Sequence, residues 1–457
     1  MDWNKSKRSS FSVGSFKPNN FNEYDRFQLL QNSPQNSIIQ SQGLQSQLPV
    51  RSAYYETHWP LFASDWSRHG NTGTETVAIS SYREDAINKI EILDGSTTYV
   101  EHSNGQSMSE SINFTKIAET NINLPITNLQ WDPAGSEKLI TTNDRLKLWE
   151  VDNYNNQLIE RLNLINGVQH NHNGHPGFSN KPQSLPPLTS FDWNKISPNI
   201  VITSSIDTTC TVWDLLHPSS PKTQLIAHDS EVFDVEFIQN SSDIFASVGN
   251  DGSMRVFDLR SLEHSTIIYE PPLISSNSNT SSSSSSATLN SNTSSSGNNN
   301  QIPTTQDQSS TNSTALLRLS TSNVDPNVIA TFSAKSDQII ILDMRYPGIP
   351  TNILAGHNGS VNSIEWHPTK QELLSGGDDC QAFIWDYTNS KSKQSSVQHS
   401  SINNSTTTPI KSNNSGNVIE YPDFAYNDNL EVNNVTWNTD GDWIGVVSGK
   451  GFQGVKV

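Results

Sequence analysis

What this chain has little of narrows the choices before any motif is read. Two cysteines, Cys210 and Cys380, stand among 457 residues, too few for a disulfide framework and in keeping with a reducing compartment. No stretch approaches the run of about 18 apolar residues that a membrane-crossing helix needs. The opening MDWNKSKRSSFSVGSF lacks the apolar centre of a secretory signal. Basic residues are outnumbered, 28 Lys and Arg against 46 Asp and Glu, giving a formal net charge of −18. Such a chain repels phosphate backbones, which nucleic-acid binders must neutralise with Lys and Arg. These absences predict a protein of the cytoplasm and nucleus with no membrane and no direct nucleic-acid partner. The Asn113 sequon is then accidental.

Apolar residues are also scarce, at 33%, and charged ones make up 16%, so much of the chain is uncharged polar sequence unable to build a core. Residues 1–51, rich in Ser, Asn and Gln, read as a disordered tail. Segments 165–187, 272–314 and 388–418 share that bias and read as low-complexity inserts in a folded frame over 52–457.

With the inserts set aside, a pattern repeats. An apolar run ending in an aromatic recurs as FASDW (Trp66), ITNLQW (Trp131), LTSFDW (Trp193), VFDVEF (Phe237), VNSIEW (Trp366) and VNNVTW (Trp437), with ALLRLS as the weakest copy. A second run follows each (NIVITSS, DIFASVG, ELLSGGD), then a third (CTVWDLL, MRVFDLR, AFIWDY). Short β-branched runs bounded by Gly, Asn, Asp and Pro predict strands, and consecutive apolar positions predict that both faces are covered. Seven copies of roughly 44 residues each fit the ~40–45 of a four-stranded propeller blade, so the reading is an all-β, seven-bladed β-propeller.

The third runs end in Trp213-Asp214 and Trp385-Asp386, with Phe257-Asp258, Trp149-Glu150, Leu342-Asp343 and Leu93-Asp94 as worn forms; Gly356-His357 and Ala227-His228 precede inner strands. In this the chain resembles WD40 proteins. LTSFDWN, SSIDTTCTVWDL and FASVGNDGSMRVFDLRSLEHSTIIYE further resemble the WD40 adaptor family of transparent testa glabra, anthocyanin eleven and their animal counterparts, most closely over 188–270. That resemblance implies a non-catalytic scaffold joining a dual-specificity tyrosine-regulated kinase to transcription regulators. The alternative it implies is a substrate receptor of a cullin-type ubiquitin ligase.

His228, Ser247 and Asp251 could be a hydrolase triad or the internal bracing of a repeat. Asp207, Asp251 and Asp379 each precede a third-strand aromatic (Trp213, Phe257, Trp385) by six residues, and Thr203, Ser247 and Ser375 precede each Asp by four. His228 and His357 complete the set in two copies. A triad occurs once and needs an exposed nucleophile beside an oxyanion hole; a constellation that repeats is structural. The WD40 resemblance implies the same tetrad of His, Ser or Thr, Asp and Trp.

Other candidates weigh less. His170, His172 and His175 lie in an Asn-rich insert without cysteine and are read as filler, and GVVSGKG at 445–451 is one residue short of a phosphate-binding loop. No metal or cofactor is expected. Lys5, Lys7 and Arg8 make a weak import signal. Asp258-Leu259-Arg260 and Asp343-Met344-Arg345 resemble the box by which some WD40 receptors dock on the cullin-ligase adaptor; the plainer reading is an Arg pinning its own turn. The last copy stops at its third strand with Val457, so Ser52–His58 is expected to supply the missing outer strand and close the ring.

Overall fold

The computed structural model describes residues 52–68, 74–84, 87–101, 108–165, 185–271, 314–388 and 416–457. The tail, most of each insert, the three histidines of 170–175 and the basic residues 5–8 lie outside the described residues. Within them, all regular structure is strand, and the strands form seven blades in chain order.

Blade 1 comprises Leu61–Trp66, Thr74–Ser81, Asn88–Glu101 and Met108–Ile122. Blade 2 comprises Asn128–Trp131, Lys138–Thr142, Leu146–Asp152 and Gln157–Leu164. Blade 3 is Leu188–Trp193, Ile200–Ser205, Thr209–Asp214 and Thr223–Ile226; blade 4 is Val232–Phe237, Ile244–Gly249, Met254–Asp258 and Ser261–Tyr269. Blade 5 is Leu316–Thr321, Val328–Ser333, Ile339–Asp343 and Asn352–Leu354; blade 6 is Val361–Trp366, Glu372–Gly377, Gln381–Asp386 and Phe424–Asn427. Blade 7 has Val432–Trp437, Trp443–Ser448 and Gly451–Lys456, with Ser52–Glu56 as its outer strand.

Each blade is an antiparallel meander, and its neighbours cover both faces. The second strands Ile200–Ser205 and Trp443–Ser448 are accordingly buried at every position. Core clusters form between blades: Ile202, Val212, Val235, Phe245 and Phe257 join blades 3 and 4, and Ile341, Leu354, Trp366, Phe383 and Trp385 join blades 5 and 6.

The ring closes through the N-terminal strand: Ser52–Glu56 pairs antiparallel with Gly451–Val455, and Gln453 Nε2 donates to Ala53 O at 3.0 Å. Blade 1 adds a clasp that the motif reading stopped short of. Its third and outer strands run on as a hairpin to Glu101 and Met108, which sets Phe114 against Trp66 and Phe452, with centroids 6.0 and 5.3 Å away. Gly95 stays inside the strand because a Cβ there would sit 2.8 Å from Glu75 O and from Ile112.

A second difference concerns the insert read as 388–418. Its last residues form a strand, Asn417–Ile419, laid parallel to Asn352–Leu354 on the outer edge of blade 5.

Candidate interaction site and the polar framework around it

The turn joining second and third strands places the tetrad groups. In blade 6, Asp379 is the second residue of that turn and Cys380 follows with a left-handed φ of 65°, a conformation that costs a side-chain-bearing residue energy. Blade 4 uses Gly252 at that place, φ 76°, at no steric cost. The turn aims each carboxylate back at the histidine ahead of the inner strand. His357 Nδ1 lies 3.0 Å from Asp379 Oδ2, its Nε2 lies 2.8 Å from Ser375 Oγ, and Trp385 Nε1 donates to the same hydroxyl at 2.9 Å. An indole only donates and a carboxylate only accepts, so the proton order is fixed: Trp385 N–H to Ser375, Ser375 O–H to His357 Nε2, His357 Nδ1–H to Asp379.

Blade 4 repeats this with His228, Asp251 and Ser247 at 3.0 and 2.8 Å. Phe257 cannot donate and instead stacks on Phe245, 5.1 Å between centroids. In blade 3, Trp213 Nε1 donates to Thr203 Oγ1 at 3.1 Å, while Asp207 accepts from Thr209 N–H and hydroxyl. A further pair of the same kind was missed in blade 2, where Trp149 Nε1 donates to Thr141 Oγ1 at 2.9 Å. Burial by itself would push the Asp251 and Asp379 carboxyls up. The hydrogen bond from each histidine, with those from backbone N–H groups, reverses this and holds both below the usual range.

The order Ser–His–Asp is that of a hydrolase, yet Ser247 and Ser375 are fully buried. A hydroxyl with no exposed surface cannot meet a carbonyl, and Ser375 is already bonded on both sides.

Sequence reasoning also missed a polar belt on the inner strands. The residue just before the inner-strand aromatic reaches to the next blade's backbone. Asp65 Oδ2 accepts from Trp131 N–H at 2.7 Å, Gln130 Oε1 from Trp193 N–H at 3.0 Å, Asp192 Oδ2 from Phe237 N–H at 2.8 Å, Glu236 Oε2 from Thr321 N–H at 2.8 Å and Glu365 Oε2 from Trp437 N–H at 2.9 Å. Burial pushes these carboxyls up, against the pull of Arg68 or Lys195: Asp65 to about 6, and Glu365, with Asp65 adding repulsion, to about 7. Asp192 and Glu236 shift the same way from burial, with Lys195 opposing. The signal was present, an acid before the aromatic in FASDW, LTSFDW, VFDVEF and VNSIEW.

The two Asp-x-Arg boxes end the third strands of adjacent blades 4 and 5, on the face carrying the third-to-outer loops. Arg260 donates to its own Asp258 through Nε at 2.8 Å and Nη2 at 2.6 Å, which lowers the Asp258 carboxyl to about 2. Arg345 grips Asp343 with Nη2 at 2.6 Å and reaches Asp325 at 3.5 Å. Each arginine thus pins its own turn, and their side chains remain 67% and 55% exposed. Around them the same face exposes Leu216, Val324, Tyr346 and Ile349, a mixed Arg and apolar composition of the kind found at protein interfaces.

A closed ring of seven four-stranded blades, riveted internally and offering loops on two faces, is a β-propeller of the WD40 type. Residues 219–258 and 348–386 match the WD domain, G-beta repeat family. The chain is 40% identical to a WD repeat-containing protein of Saccharomyces cerevisiae, over 93% of this chain and 82% of that one. It is 35% identical to an uncharacterized WD repeat-containing protein of Schizosaccharomyces pombe, over 88% and 89%. With a DDB1- and CUL4-associated factor 7 homolog of Dictyostelium discoideum it shares 32% identity over 88% of this chain and 98% of that protein. The chain belongs to the WD40-repeat family of adaptor proteins.

Proposed function

We propose that this propeller is a non-catalytic adaptor that docks on the DDB1-type adaptor of a cullin ligase and presents client proteins to it. The observation that carries this reading is the pair of arginines on adjacent blades. Asp258 and Asp343 fix the inner half of each guanidinium and leave the outer half on one exposed face, where a planar fork can bridge partner carbonyls or carboxylates. The name of the Dictyostelium relative, a DDB1- and CUL4-associated factor 7 homolog, supports the partner. A rigid disc holding two proteins acts by raising their effective concentration, to the millimolar range for short connections, and needs no reacting group. The family resemblance over 188–270 supports the clients, a dual-specificity tyrosine-regulated kinase and transcription regulators, with the protein working in cytoplasm and nucleus.

The test is co-purification of the adaptor with the Arg260→Ala, Arg345→Ala double variant. Association is lost while the thermal unfolding midpoint stays close to that of the parent, because exposed ion pairs contribute little to stability. Undiminished association refutes ligase docking through these boxes.

A further inference from the structure

Blade 5 carries a fifth strand on its outer edge, whereas blades 1 and 2 meet edge to edge only at Glu119 and Gln157. The chain leaves the third strand of blade 6 at Asp386. Before forming that blade's own outer strand at Phe424, it lays Asn417–Ile419 in parallel beside Asn352–Leu354 of the preceding blade. Asn417 N–H donates to Thr351 O at 3.0 Å, and Ala355 N–H donates to Ile419 O at 2.8 Å. Ile419 packs against the core cluster that holds Leu354, Trp366 and Trp385, whereas Val418 is exposed. At the entry, a Cβ on Gly416 would meet Pro350 O at 2.4 Å. The edge therefore selects a glycine and, three positions after it, an aliphatic anchor. A parallel ladder three residues long is weakly held, and the edge beneath it is a row of backbone donors and acceptors that pairs with any extended chain that fits.

We propose that the outer edge of blade 5 is a strand-addition site, occupied in cis by residues 416–419, and that an extended peptide of a partner protein with the Gly-x-x-aliphatic pattern displaces this strand in parallel register. Neither Arg260 nor Arg345 contributes to the ladder, so ligase association and peptide uptake fail separately.

The experiment uses the full chain carrying Asn417→Pro and Ile419→Asp, which remove one rung and the anchor of the cis strand. A fluorescein-labelled peptide GNVIEY is titrated by anisotropy. Saturable binding is expected for this variant and about tenfold weaker binding for the parent, where the tethered strand competes. Adding Ala355→Pro, or changing the peptide glycine to alanine, abolishes it. No binding to the variant, or binding indifferent to both changes, overturns the proposal. Hydrogen exchange of the parent protein checks it independently of any variant: the Asn417 and Ala355 amides exchange before the Ile339–Leu354 ladder opens. Exchange of those two amides only on global unfolding also overturns it.

Discussion

The tetrads hold carboxylates in turns and the inner belt holds them between strands, and the two keep them in opposite states. Asp251 and Asp379 each face a histidine and have their carboxyls held low. Asp65 and Glu365 face a backbone N–H, with Arg68 and, for Asp65, Lys195 or, for Glu365, the Thr436 hydroxyl set against burial, and their carboxyls are raised. A hydrogen-bond acceptor is all the belt requires, whereas the tetrad requires a charge. The same residue type therefore acts as an ionic rivet in one region and as a polar spacer in the other, because of what lies opposite it.

The largest effect that sharpens this contrast comes from deleting a rivet. Asp379→Ala strands His357 Nδ1 together with the Asn358 and Gln381 amides, and is expected to cost about 1–3 kcal/mol in urea unfolding at pH 7. Glu365→Gln keeps an acceptor for Trp437 N–H and should cost less than about 1 kcal/mol by the same measurement. Equal losses would break the distinction.

Next in size is the dependence on pH. For Asp65 and Glu365, whose folded values are raised, the stabilisation is fully present below the unfolded carboxyl range. It fades as pH climbs from about 4 toward 6 for the first and 7 for the second. For Asp251 and Asp379, held low in the fold, stability is present above that range and drains away as pH falls below about 4. Stability measured against pH should thus fall off on both sides. Asp65→Asn with Glu365→Gln should flatten the neutral limb, by on the order of 1 kcal/mol for each group given the water that reaches them, and leave the acid limb in place. An unchanged neutral limb would remove the belt acids as its cause.

How much of this was legible without coordinates follows the range of each interaction. The repeat, the count of seven and the closure by Ser52–Glu56 rest on local strand pattern and on a ladder that must end somewhere. The tetrads were legible because four-residue and six-residue spacings recur. Glu365 and Asp65 stand inside the repeat motifs with no local mark of their role, since their partner Trp amides sit one blade later and no spacing within a copy announces them. The third run of blade 1 reads as closing at Leu93-Asp94, and Gly95 lies in the strand beyond it. In the fold it is glycine because Glu75 O, Ile112 and Phe114 crowd its Cβ position, a packing reason that looks identical to a turn in sequence. Asn417–Ile419 was lost in Ser/Asn-rich composition, its partner strand some sixty residues earlier.

The finest comparison lies inside the tetrads themselves. Ser375 serves two partners, accepting from Trp385 Nε1 while donating to His357; Ser247 serves His228, and across from it Phe257 has no donor to satisfy. Replacing either serine with alanine removes a bond to histidine, but only Ser375→Ala also strands a buried indole N–H. The second loss should therefore exceed the first by about 1 kcal/mol or less, read from paired denaturation curves at one pH. Two identical losses would mean that the indole bond contributes nothing, and that what distinguishes blade 6 from blade 4 is ring packing: Phe245 stacked on Phe257 in one, Phe383 set edge-on to Trp385 in the other.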